Sequence, residues 1–263
     1  MKAHIFYSGS KGNCTYISDG ETSILIDAGG CLKRIRENLE EVSDRLDNIK
    51  GIFVTHEHTD HTKALFNIVK KYDTHIFTSL DTAKNICTPT NSVPVCDCKR
   101  LAERIMTVKP EKTYEIGTFT VKPFSTPHDV TSLGFIIHSK VSNKTLAYAT
   151  DIGCITAEMA EHMAGIENVI IESNHDVHML MNGSYPEYLK TRILSDRGHL
   201  SNVDCAAFLK FLMKMGTKSI TLAHLSEENN TPVLARKTIE EVILDGVKLQ
   251  VANPYKRIEM EIC

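Results

Sequence analysis

The sequence predicts an α/β fold of two sheets with helices on their outer faces. Three observations point there. Short β-branched runs alternate with amphipathic helical stretches from end to end, no repeat or Pro/Gly/Ser linker divides the chain, and ionisable residues collect where strands stop. A length of 263 residues allows one large core or two small ones, and the unbroken alternation favours a single domain over residues 1–263.

Taken in order, HIFY, CTYIS, TSILIDA and GIFVTH read as strands, with a helix from about Cys31 to Val42 carrying Leu32, Ile35 and Leu39 on one face. A second helix is expected to follow the histidine cluster THEHTDH, with Leu65, Ile68 and Val69 as its apolar stripe. The middle is rich in strands: YEIGTFTVKPF, LGFIIHS and TLAYATD, separated by turn residues. Then come NVIIES, a helix from about Asn202 to Met215, SITLAH, a helix after Pro232, and VKLQVAN with YKRIEMEI.

Composition narrows the function classes. The opening MKAHIFYSGS lacks the apolar stretch of a secretory signal and no run is long enough to span a bilayer, so a cytoplasmic protein with no membrane partner is expected. The eight cysteines are scattered and are read as free thiols; Cys87, Cys96 and Cys98 lack the paired C-x-x-C spacing of a zinc knuckle. A net charge of -3 argues against a protein that coats nucleic acid, although it leaves room for a locally basic cleft. Lys33, Arg34 and Arg36, Lys99, Arg100 and Arg104, and Lys190, Arg192 and Arg197 are the basic groups; most are read as solvated surface charge.

THEHTDH puts His56, His58, Asp60 and His61 between a strand and a helix. Alternate residues of an extended segment face the same way, so His56 and His58 can converge on one ion while Asp60 and His61 turn toward a second. Imidazole with carboxylate suits Zn, Mn or Fe. Four residues cannot hold two ions and leave positions open for a reaction, so further ligands should arrive from other strand ends. His128 in STPHD, Asp151 in ATDIG and His224 in LAHLS are the candidates.

Those residues, with the early Asp27 of LIDAGG, resemble the metallo-β-lactamase superfamily from the first strands to Asn230. The resemblance implies a four-layer αββα sandwich with a dinuclear site along one edge. It further implies His56, His58 and His128 on one ion, Asp60, His61 and His224 on the other, Asp151 bridging both, and Asp27 shaping the site from behind. SGSKGNCTYI, LIDAGG, ESNHD, RGHLSN and LAHLSEENN together are similar to the YycJ/WalJ-like branch, whose members act as DNA exonucleases from 5′ ends and are associated with repair.

For such an enzyme two divalent ions would activate a bridging water and clamp a phosphodiester, with Asp60 orienting the attacking hydroxide. The leaving oxygen then needs a proton. In phosphodiesterases of the superfamily a histidine in a Gly-His-x-[Ser/Thr] setting supplies it, steadied by an acidic residue. RGHLS matches with His199, and Glu172 of IIESNHD is the implied partner. Ser201, a good N-cap, and Asp204 would fix the helix start just after His199. Ser10 and Asn13 in the SGSKGN loop, and His175, are candidate substrate contacts, with a tight turn and a structural support as their respective alternatives.

The expected function is therefore a DNA exonuclease. The alternatives are a small-molecule or cyclic-nucleotide phosphodiesterase and an RNA-processing nuclease. A lactamase or thioesterase has no need of a Glu172 and His199 pair, and a non-catalytic scaffold would be expected to have lost ligands. The chain has neither the large inserted domain of related RNA exonucleases nor a long arm between Asp151 and His224 of the kind that grips tRNA.

Overall fold

The computed structural model describes residues 1–90, 94–260 and 262–263. Two seven-stranded sheets form its centre. The first contains β1 (Lys2–Tyr7), β2 (Cys14–Ser18), β3 (Ser23–Ile26), β4 (Ile49–Phe53), β5 (Ile76–Thr78), β6 (Ile105–Thr107) and β14 (Ile258–Met260). The second contains β7 (Tyr114–Ile116), β8 (Phe119–Thr126), β9 (Ser132–Ser139), β10 (Lys144–Ala149), β11 (Asn168–Glu172), β12 (Ser219–Ala223) and β13 (Lys248–Val251).

Their strand orders are β14-β1-β2-β3-β4-β5-β6 and β13-β12-β11-β10-β9-β8-β7. Each sheet is antiparallel on one side and parallel on the other, the change falling at β3 and at β10. The parallel strands need helical crossovers. On the first sheet these helices are α1 (Leu32–Glu41), α2 (Thr59–Thr62), α3 (Leu65–Val69), α4 (Leu80–Ile86) and α5 (Val95–Ala102). On the second they are α6 (Ala157–Met163), α7 (Val177–Asn182), α8 (Glu187–Ile193), α9 (Asn202–Lys214) and α10 (Pro232–Glu240).

Three apolar clusters mark three layer contacts. Ile5, Ile17, Ile24 and Phe53 of the first sheet meet Phe119, Phe135, Ile137 and Tyr148 of the second. The outer face of the first sheet buries Leu25 and Ile52 against Ile35 and Leu39 of α1. That of the second buries Val169, Ile171 and Leu222 against Leu209 and Leu212 of α9 and Ile239 of α10. Helix, sheet, sheet, helix is the resulting order, as the sequence led us to expect.

Two expectations are corrected. The helix after the histidine cluster is α3 with the expected stripe, but the cluster itself, read as loop, holds the short α2 over Thr59–Thr62, set off from α3 where the Ala64 N–H bonds the Ala28 carbonyl and the His61 carbonyl accepts from Ala28 N–H. That exchange pins the loop to the end of β3. The last strand is shorter than YKRIEMEI, covering Ile258–Met260; Glu261 lies outside the described residues. The eight cysteines are free, and Cys96 and Cys98 sit on α5. Among the described residues, no helix is long and apolar enough to cross a membrane.

Candidate metal centre and its proton relay

Every expected metal-ligating residue, with His199 and Glu172, comes to one edge of the sandwich, at or just beyond strand ends. The rings of His56, His58, His61, His128, His199 and His224 form a continuous cluster with neighbouring centroids 4.2 to 5.7 Å apart. His56, His58 and His128 form one group whose ligand-capable atoms are mutually close, and Asp60, His61 and His224 form another. Asp151 joins His56 and His61 in a third, which places it between the two.

The ring orientations follow from what holds each Nδ1. That of His56 faces Thr55 Oγ1 at 3.0 Å, that of His61 faces Asp27 Oδ2 at 2.7 Å, that of His128 faces the Gly198 carbonyl at 3.1 Å, and that of His224 faces Glu172 Oε1 at 2.8 Å. Each ring is thereby aimed with Nε2 inward, the arrangement that orients imidazoles around an ion. The Nε2 atoms of His56, His128 and His224 and Oδ2 of Asp151 are buried without a hydrogen-bond partner. Orphaned atoms of this kind, converging and chemically suited to a divalent cation, fit the metal that the donor set implies. Burial also lowers the proton affinity of His56 and His128, leaving the neutral imidazoles that bind ions.

Asp27 is fully buried and accepts from Thr55 N–H at 2.9 Å, in addition to contacting Thr55 Oγ1 and His61. Burial pushes its carboxyl upward, against the pull of His61. It stands behind the ion-facing atoms, where the sequence placed it. Three non-glycine residues at this edge, Asp27, Asp151 and His224, have φ of 61°, 56° and 53°. Left-handed backbone at such positions stores strain of roughly 1 kcal/mol or more each, which the surrounding contacts must offset.

Glu172 is the hub on the other side. Its Oε1 accepts from His199 Nδ1 at 2.9 Å as well as from His224 Nδ1, and its Oε2 accepts the N–H groups of Ile152 at 2.7 Å and Leu200 at 3.0 Å. Burial would raise the carboxyl, but His199 and His224 outweigh it and keep Glu172 ionised. Burial likewise disfavours the His199 imidazolium, yet the Glu172 and Asp151 carboxylates raise its proton affinity above the ordinary value. The His199 side chain is 23% exposed while Glu172 is 0% exposed, so the ring spans the boundary between a buried carboxylate and the cleft.

The local sequence explains how His199 is held. Its N–H bonds the Ile193 carbonyl, and a Cβ on Gly198 would overlap that same carbonyl, so only glycine lets the turn close. Ser201 caps α9 through Asp204 N–H at 3.1 Å. His175 lies behind this segment, buried, with its carbonyl accepting from Asn202 N–H at 2.9 Å. Asn13 is buried, with Nδ2 3.0 Å from His61 Nε2 and 3.3 Å from Asp60 Oδ2. Ser10 is exposed on the turn. The serine that ties this loop to the site is Ser8, which the sequence reading passed over. Its hydroxyl donates to Asn13 Oδ1 at 3.1 Å and accepts the His224 N–H at 2.8 Å. Thr55, the Gly198 carbonyl and Asp129, whose Oδ1 lies 3.1 Å from His128 Nε2 and 3.4 Å from His58 Nε2, were also missed, although Thr55 adjoins HEHTDH, Asp129 follows His128 and Gly198 precedes His199 in motifs already singled out.

The "Beta-lactamase superfamily domain" family matches residues 22–225. The chain is 34% identical to "Exodeoxyribonuclease YycJ" of Bacillus anthracis over 91% of this chain and 88% of the relative. It is also 34% identical to "Exodeoxyribonuclease WalJ" of Streptococcus pneumoniae serotype 2 (strain D39 / NCTC 7466), over 91% and 87%. Among solved structures, Zn(2+)-bound PqqB from Methylobacterium extorquens superposes with a TM-score of 0.75 at 16% identity, covering 98% of this chain and 99% of that one, a likeness of fold. Layer order, site edge and relatives agree: the chain belongs to the metallo-β-lactamase superfamily, in its YycJ/WalJ-like branch.

Proposed function

We propose that the protein is a metal-dependent hydrolase that releases nucleotides from the 5′ end of DNA, with residues 1–263 acting as one catalytic domain. The observation that carries this reading is the His199–Glu172 pair at 2.9 Å beside the histidine and aspartate cluster. The printed names of the relatives supply the substrate class.

In this reading His56, His58, Asp60, His61, His128, Asp151 and His224 would hold two divalent ions, His56, His58 and His128 forming one donor group and Asp60, His61 and His224 the other. Zn, Mn and Fe all suit such donors. When bound, the ions supply charge neutralisation at the phosphodiester and a nucleophile at neutral pH. The chain's own residues do the rest. Asp60, with Oδ2 3.4 Å from His61 Nε2 and 3.6 Å from His224 Nε2, orients the attacking group. His199 gives the leaving oxygen its proton from Nε2, and Glu172 keeps Nδ1 protonated and the ring turned toward the cleft. Asn13 and His175 are assigned supporting positions.

His199→Ala tests the assignment. It should retain the metal content of the parent protein by elemental analysis and lose about 10²- to 10⁴-fold in release of mononucleotide from a 5′-phosphorylated duplex. Loss of one ion would move His199 into the ligand set. Hydrolysis by the parent protein of a cyclic nucleotide but of no duplex would overturn the exonuclease reading.

A further inference from the structure

A cavity of about 470 Å³ adjoins the three-histidine position and is lined by His128, Asp129, Thr126, Ser132, Asn85, Glu57 and Arg197 among others. It lies within the range of small-ligand sites, about 300 to 1,000 Å³. Two features of its wall have no structural use. Thr126 and Ser132 face each other across β8 and β9 and are 5% and 2% exposed, yet neither hydroxyl has a hydrogen-bond partner. Arg197, two residues before His199, is exposed, and among the described residues its guanidinium has neither an ion pair nor a hydrogen bond.

Both acidic groups on the wall have cationic or hydrogen-bonding neighbours, Asp129 Oδ1 facing His128 Nε2 at 3.1 Å. Glu57 accepts from Asn85 at 2.6 Å and from Thr82 at 3.2 Å, and Asp129 is paired with Arg192 of α8. Arg197 is therefore the uncommitted charge. Its backbone is set by the same Ser195–Gly198 turn that fixes His199.

We propose that this cavity seats one nucleotide of the substrate, with Arg197 binding a phosphate and the Thr126 and Ser132 hydroxyls supplying hydrogen bonds from β8 and β9. A guanidinium matches phosphate oxygens in a planar, two-pronged fashion, and a site beside His128 puts the held nucleotide next to the reacting bond. The proposal rests on the phosphodiesterase reading for the class of ligand. It assigns to Arg197 a role beyond the solvated surface charge expected from sequence.

The test is calorimetric binding of thymidine 5′-monophosphate to the metal-loaded protein. The parent protein should bind it, and bind thymidine far more weakly. Losing a charge-assisted phosphate contact should weaken binding about 10- to 100-fold in Arg197→Ala, and Thr126→Val or Ser132→Ala should each weaken it about 2- to 10-fold. Metal content should be unchanged in all three. Unchanged affinity in Arg197→Ala, or in both hydroxyl variants, would overturn the pocket. Arg197-dependent binding in a protein that releases nothing from duplex DNA would keep the pocket and overturn the exonuclease reading. Duplex cleavage without such binding would do the reverse.

Discussion

The two sheets repeat one plan and use it differently. In each, three antiparallel strands lead into a parallel set, and an aspartate in left-handed backbone follows the strand where the direction changes: Asp27 after β3 and Asp151 after β10. Asp27 withdraws behind His61 and Thr55, whereas Asp151 keeps an unpartnered oxygen among the ion-facing atoms. The following parallel strands diverge as well. β4 runs into a loop carrying four candidate ligands within six residues, while β11 ends in the fully buried Glu172, which gathers groups from three separate segments. The first sheet concentrates its chemistry in one loop; the second distributes it and holds it together through one carboxylate.

If the two aspartates differ in role as they differ in partners, neutralising them should have unequal effects. Asp151→Asn is expected to show the largest change, losing bound metal by elemental analysis and retaining less than roughly a thousandth of duplex cleavage. Equal losses in Asp151→Asn and Asp27→Asn would erase the distinction. Glu172→Gln should rank next: with His199 and His224 both deprived of their carboxylate, turnover should fall by about 10²- to 10⁴-fold, and ion affinity should weaken on the His224 side. Asp27→Asn disturbs the aim of His61 and the Thr55 contacts behind it, and about a 10- to 100-fold loss of metal affinity is expected in a chelator-competition titration. Smallest is Ser201→Ala, which removes the cap of α9 and should lower stability by about 0.5 to 2 kcal/mol in a denaturant titration while leaving metal content intact.

The same contrast explains what could be read from the chain alone. HEHTDH was legible because its ligands are neighbours in sequence, and the sandwich was legible because each strand shows its own apolar pattern. The His199–Glu172 pair was reachable through RGHLS and the strand end before it. The sharing of Glu172 between His199 and His224 was not, since it depends on the register by which β11 pairs β12, with Glu172 opposite Ala223. The short helix α2 within the histidine cluster and the close fit of Gly29, where a Cβ would overlap the Asp60 carbonyl, also arise from contacts distant in sequence. The cavity beside His128 combines residues from 57 to 197, drawn from separate motifs whose meeting no single stretch of sequence announces.

Asp151 stands where groups from both sheets meet, and this has a bearing on more than chemistry. On the proposed ligand set, an ion held there would be a staple across the sandwich, joining the loop after β4 to those after β8, β10 and β12. Binding that favours only the assembled form adds stability with ion concentration, about 2.7 kcal/mol at a hundredfold excess over the dissociation constant. Resistance of the two sheets to separation would then depend on metal supply, and a starved cell would hold a looser protein as well as an idle one.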